Sequence, residues 1–188
     1  MHASMPEIIL YPTDTVYGLG VDATDEDAIR ALKELKGREE GKHISIAVSD
    51  MDMMRKYAVV TPLAERLAAK FLPGKLTLVL RPKTLPWELG EGTDEIGIRI
   101  PNHPAPLALI KELGKPITVT SANVSGLPVM TTPAHILRQF GEKAGQITRV
   151  IDAGALAPSE PSTVVDARGA TPVVIRKGAI AGIALQET

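Results

Sequence analysis

Polar residues able to hold an anionic substrate gather at a few places along the chain, mostly where an apolar run stops. The first is Tyr11-Pro12-Thr13-Asp14-Thr15-Val16-Tyr17-Gly18-Leu19-Gly20, two hydroxyls and a carboxylate in a turn that ends in glycines. Loops at strand ends are where α/β proteins place ligands, although Thr and Asp also build plain turns. The second is Lys36-Gly37-Arg38, with Lys42 close behind. Ala28, Ile29, Leu32 and Leu35 make the apolar stripe of a helix, and Lys36 extends that stripe instead of the solvent face. Two cations around a glycine can grip phosphates, and a lysine there also suits the negative end of a helix.

Arg99 sits in Gly97-Ile98-Arg99-Ile100-Pro101. A period of two puts Ile98 and Ile100 on one face and Gly97 with Arg99 on the other. The missing side chain at Gly97 is expected to leave room beside the guanidinium for a carboxylate or phosphate. Arg176 repeats the arrangement after Val173-Val174-Ile175. Thr120-Ser121-Ala122-Asn123-Val124-Ser125-Gly126 and Glu160-Pro161-Ser162-Thr163 add small donors and acceptors beside two further apolar runs. Such groups can orient an amino acid or a nucleotide, or can simply cap and turn the chain.

Other chemistries are excluded or unsupported. With no cysteine there is no disulfide, thiolate-metal site or cysteine nucleophile, which suits a reducing cytoplasm. The histidines (His2, His43, His103, His135) lack metal spacing, so no metal site of the protein's own is expected. Gly74-Lys75 and Gly41-Lys42 resemble P-loop endings but lack the following Ser or Thr, and no G-x-G-x-x-G occurs. A net charge of −1 and 3% aromatic residues argue against a general nucleic-acid binder, so any tRNA contact would be local. No signal peptide or membrane span is evident. Neither a Ser–His–Asp set nor paired carboxylates can be picked out. The chemistry is expected to rest on charge and positioning.

The elements that must position these groups alternate between strand and helix, an α/β layer pattern over a single domain spanning residues 1–188. Strands are predicted at 7–11, 44–48, 76–80, 96–100, 117–120, 149–151, 163–165 and 173–176. Helices are predicted at 25–36 with Thr24 as cap, from Thr61-Pro62 to Pro73, at 105–113, and from Thr132-Pro133. The Lys83–Asp94 stretch reads as a mobile loop.

In this order the segments resemble the YrdC family of threonylcarbamoyl-AMP synthases. The matching pieces are P-T-D-T-V-Y-G-L-G at 12–20, K-G-R at 36–38, L-P-G-K-L-T at 72–77 and G-I-R-I-P-N-H-P at 97–104. T-S-A-N-V-S-G at 120–126, P-S-T-V-V-D at 161–166 and V-I-R-K-G at 174–178 complete the set. The resemblance implies a twisted, open, mixed α/β sheet with flanking helices and a concave, positively charged cleft. It implies that L-threonine, bicarbonate and ATP become threonylcarbamoyl-AMP and pyrophosphate, with Mg2+ riding on the nucleotide. A separate transferase would then carry the threonylcarbamoyl group to tRNA. By resemblance, Thr15, Arg99, Ser121 and Ser162 hold threonine, with Arg99 facing its carboxylate. Lys36 faces the phosphates or the carbamate, and Arg38, Lys42, Asn123, Thr131 and Arg176 hold ATP. Arg38-Glu39 and Lys42-His43-Ile44 depart from the family's usual K-G-R-P and K-P-L. The chain is expected to lack both the extra N-terminal strand and helix and the C-terminal domain of longer members. A family paralogue with a carbamoyl-transfer or RNA-binding role is the alternative.

Overall fold

The computed structural model describes residues 6–38, 41–90 and 92–182. Glu39, one of the departures just named, lies outside them. Along the chain run β1 (Ile9–Tyr11), β2 (Gly18–Gly20), α1 (Glu26–Lys36), β3 (Ser45–Ala47), α2 (Met51–Tyr57) and β4 (Ala58–Val59). Next come α3 (Pro62–Phe71), β5 (Leu76–Pro82), α4 (Trp87–Gly90), β6 (Ile96–Arg99), α5 (Pro104–Leu113) and β7 (Ile117–Ser121). Helix α6 (Pro133–Phe140), a 3-10 turn (Gly141–Gln146), β8 (Arg149–Val150), β9 (Thr163–Asp166) and β10 (Val173–Arg176) complete the order.

The described strands form one open, mixed, ten-stranded sheet in the order β10-β9-β5-β6-β3-β7-β2-β1-β8, with β4 added beside β5. The β1–β8, β3–β6 and β5–β9 pairs are parallel and the others antiparallel. Among the described residues no helix is long and apolar enough to cross a membrane.

Alternation along the strands builds two cores. Ile8 and Leu10 enter a large core with Leu32 of α1, Met54 of α2, Leu67 of α3 and Ile136 of α6. Ile9 and Tyr11 point the other way, into a smaller core with Ala47, Ile117, and Leu109 and Ile110 of α5. The second face is therefore covered at one end only. Its open remainder carries Ser45, Thr77, Gly97, Arg99 and Ser121.

Local chemistry explains the helix ends. Thr61 accepts from Ala64 N and Thr132 from His135 N, each before a proline, while Gly37 and Gly114 adopt left-handed conformations that close α1 and α5. The cap of α1 differs from the expectation. Asp25, not Thr24, accepts from Ala28 N at 3.0 Å, because the Thr24 hydroxyl is spent on Asp22 Oδ1 at 2.7 Å. The Lys83–Asp94 stretch is also more ordered than a bare loop. It contains α4, whose Leu89 is buried and gives its carbonyl to Ile44 N at 2.9 Å, while Arg30 pairs with Glu88 at 2.9 Å.

Gly97 does not border an empty slot either. A Cβ there would lie 2.3 Å from Ser45 Oγ and 3.2 Å from Thr77 Cγ2. The absent side chain lets three strands close tightly. Gly97→Ala should cost about 1–3 kcal/mol through overpacking, read as a lower urea midpoint with an unchanged slope.

Candidate active site

The open part of the second sheet face is a cleft with a cavity of about 270 Å³. Arg99, at the end of β6, lies in its floor and is only 4% exposed. A guanidinium this deep needs an anion, and Asp14 supplies it from the turn after β1. One terminal nitrogen of Arg99 donates to Asp14 Oδ1 at 2.7 Å and Oδ2 at 2.9 Å, and to the Gly74 carbonyl at 3.0 Å. Arg99 Nε is buried and meets no hydrogen-bond partner in the structure.

The turn carrying Asp14 is closed by its own hydroxyls. Thr13 Oγ1 donates to the Val16 carbonyl at 2.6 Å and accepts from Thr15 N at 3.1 Å, which lays the Thr15 hydroxyl 3.0 Å away and along the cavity wall. On the opposite wall, Ser162 Oγ lies 2.9 Å from Thr77 Oγ1. Arg176 donates to the Ser162 carbonyl at 2.9 Å and to its Oγ at 3.1 Å. Burial, and then the charge of Arg99, lower the Arg176 pKa from its ordinary value. Two guanidiniums thus face one space.

Lys36 is placed differently. It ends α1 within the apolar stripe, 2% exposed, and turns its ammonium onto the loop after β7. Nζ donates to the Ser121 carbonyl, to the Asn123 carbonyl at 2.6 Å and more weakly to Asn123 Oδ1 at 3.5 Å. Ser125 N returns a bond to the Lys36 carbonyl at 2.8 Å. The lysine therefore clamps the segment that presents Ser121. The Asn123 amide is engaged by the Val124 and Leu127 carbonyls at 3.1 and 2.8 Å, and its Oδ1 takes the Ser121 hydroxyl at 2.5 Å.

Of the residues expected from sequence, Thr15, Arg38, Arg99, Ser121, Ser162 and Arg176 line this one cavity. Lys36 and Asn123 stand behind its Ser121 wall. Lys42 contributes its carbonyl, which accepts from Arg38 Nε at 3.0 Å. Thr131 lines a neighbouring cavity of about 230 Å³ that shares Thr15 and Val16 with the first. Sequence reasoning missed Asp14 as the partner of Arg99, along with His43, Ser45 and Thr77 in the lining. Thr77 could have been found, as a hydroxyl between Leu76 and Leu78 in an otherwise apolar run. Asp14 could not, because nothing in its local run names a residue 85 positions away.

Burial, followed by the nearby charge of Arg38, pushes the Lys36 pKa from 10.5 down to about 7, although the oxygens around Nζ favour the ammonium. Between those two values the unfolded chain binds more protons than the native one, so this group makes stability rise with pH. Urea unfolding at pH 7 and pH 9 should show that rise in the wild type, and Lys36→Met should flatten it.

The chain matches the Sua5/YciO/YrdC family model, described as telomere recombination, over residues 4–178. It is 36% identical over 177 residues to the threonylcarbamoyl-AMP synthase of Bacillus subtilis, covering 93% of this chain and 50% of that one. Identity to the threonylcarbamoyl-AMP synthase of Pyrococcus abyssi is 37% over 183 residues, covering 96% and 52%. The chain thus spans about half the length of these relatives. The structure of P. abyssi Sua5 complexed with L-threonine superposes with a TM-score of 0.88 at 35% identity, over 96% of this chain and 53% of that one. Escherichia coli YciO superposes with a TM-score of 0.83 at 29% identity, over 96% and 87%. Matched by the family model from residue 4 to residue 178, the chain belongs to the Sua5/YciO/YrdC family.

Proposed function

We propose that the cleft binds L-threonine and ATP and joins them, with bicarbonate, into threonylcarbamoyl-AMP. The observation that carries this reading is the buried, unpartnered Nε of Arg99 beside Thr15, Ser121 and Ser162 in one cavity. A free amino acid needs an anion receptor for its carboxylate and small hydroxyls around the rest, and this wall offers both. The similarity to P. abyssi Sua5, solved with L-threonine, supports the same substrate. Three arginines and, among the described residues, no carboxylate line the cavity, so the cleft is read as positively charged.

The threonine amine adds to carbon dioxide derived from bicarbonate, giving a carbamate and releasing a proton. A carbamate oxygen then attacks the α-phosphorus of ATP, and the bond to pyrophosphate breaks. The carbamate is already an anionic nucleophile, so the residues have to position and neutralise more than to activate. Arg99 would hold the carboxylate, and Arg38 and Arg176 would face the phosphates. Lys36 would keep the Ser121 segment in register. Magnesium would supply further charge neutralisation. Because both Asp14 oxygens sit on Arg99, the ion is expected to be held by the phosphates it travels with. The product is an activated group for a separate transferase acting on tRNA, and the cytoplasm is the expected setting.

A second reading, a YciO-like paralogue with another acyl or RNA substrate, is favoured by the fuller overlap with E. coli YciO, 87% of whose chain is covered. Incubation with ATP, threonine and labelled bicarbonate separates the two. The first reading requires a labelled adenylate and threonine-dependent pyrophosphate. Serine should be poorer, because the lost methyl contact is worth about 1–3 kcal/mol. Turnover indifferent to threonine would support the paralogue.

Arg99→Lys tests the carboxylate assignment directly. An ammonium cannot hold Asp14 and a substrate carboxylate as a planar fork can, so threonine binding should weaken by about 1.5–3 kcal/mol. ATP affinity without threonine should stay within about 0.5 kcal/mol of wild type. Titrating each ligand alone would expose the reverse pattern, which reassigns Arg99 to the nucleotide.

A further inference from the structure

Two main-chain oxygens help to aim Arg38. Its Nε donates to the Lys42 carbonyl at 3.0 Å and its NH2 to the His43 carbonyl at 2.5 Å. Both Arg38 and His43 line the cleft. Those carbonyls are no better fixed than the peptide planes that carry them. Ile44 N, bonded to the Leu89 carbonyl at 2.9 Å, pins the far end of the segment. The ring of His43 is a further restraint.

His43 Nδ1 lies 3.2 Å from Glu95 Oε1, and Nε2 lies 3.3 Å from Thr93 Oγ1. Thr93 gives its own hydroxyl proton to the Gly90 carbonyl at 2.7 Å, so toward the ring its oxygen can only accept. A carboxylate also only accepts. Both ring nitrogens are thus engaged, Nδ1 by Glu95 and Nε2 by Thr93, so the ring is held from two sides. Glu95 is itself held in place. Its Oε2 pairs with Arg168 at 3.0 Å, and Arg168 donates to Asp166 of β9 at 2.7 and 3.0 Å. A chain of contacts therefore runs from Asp166 through Arg168 and Glu95 to the His43 ring, and through the His43 carbonyl to Arg38.

This relay contributes little to the core. The His43 and Glu95 side chains are 30% and 28% exposed, and ion pairs so placed add little to stability. Its geometric consequence is larger, because it ends on a guanidinium that faces the cavity. We propose that His43 is a positioning residue: its ring, held between Glu95 and Thr93, fixes the carbonyls that aim Arg38 into the cleft. The proposal rests on the reading of ATP as the ligand of Arg38, and it adds a residue that acts through that arginine.

The test compares wild type, His43→Ala, His43→Lys, Arg38→Ala and the Arg38→Ala/His43→Ala double variant. Each is titrated with a non-hydrolysable ATP analogue by calorimetry and assayed for threonine-dependent pyrophosphate release. His43→Ala should raise the analogue Kd and the ATP KM about tenfold, the scale of one lost contact to a charged group. The threonine KM and the melting temperature should hardly move. His43→Lys, which keeps a nitrogen donor opposite Glu95, should recover most of the loss. In the Arg38→Ala background the histidine change should add less than about twofold, because it acts through the missing arginine. An unchanged Kd in His43→Ala, or a full tenfold loss added on top of Arg38→Ala, overturns the proposal. So does a threonine KM that rises in step with a falling melting temperature. A wild type that binds and turns over ATP yet ignores His43 sinks this proposal alone, whereas a wild type that binds no analogue sinks the ATP reading as well.

Discussion

Burying a guanidinium in the floor of a sheet imposes a demand that much of the cleft is built to meet. A guanidinium at 4% exposure is costly to bury without a counter-ion, and the one it has, Asp14, comes from the turn between the two strands at the far side of β7. That turn must reach across the open face, so its hydroxyls are spent on closing it and not on solvent. Gly74 must also offer its carbonyl, which ties the loop after α3 to the same point. An ion pair of this kind is weak evidence of stability, since desolvation offsets most of the attraction. Its value lies in holding two loops against the end of β6 around a nitrogen that still lacks an acceptor.

The cations of the site fall into two kinds. Lys36 is saturated by the protein's own oxygens and works as a clamp. Arg99 and Arg176 instead line one cavity, and burial, then the charge of Arg99, lowers the Arg176 pKa. An anionic ligand in that space would relieve the repulsion between them.

Most of the fold was legible because each element carries its own signals. The α1 stripe, the Thr-Pro and Gly punctuation, and the period-two placement of Arg99 are all local properties of the chain. What escaped depended on other segments. β2 reads as part of a glycine turn until β7 pairs with it, and α2 is short enough that its Asp50 cap is its main sign. The Lys83–Asp94 stretch looks loose until Ile44 and Arg30 reach it. Site identities followed the same division. Arg99, Ser121 and Arg176, on strands, and Ser162, just before one, could be singled out by position, whereas the different placements of Lys36, a clamp, and Arg38, which lines the cavity, are set by three dimensions alone.

The strand order has a consequence for how the protein comes into being. The wall holding Ser162 and Arg176 is β9 and β10, which dock beside β5, while the opposite wall is the turn between β1 and β2. A ribosome making this chain therefore releases one side of the cleft well before the other. Pairing between such distant segments is slow, because a long loop must close before any contact rewards it. Until β9 inserts, β5 has an open edge and Arg99 lacks part of its cover, so the cavity takes shape only once both distant segments have docked.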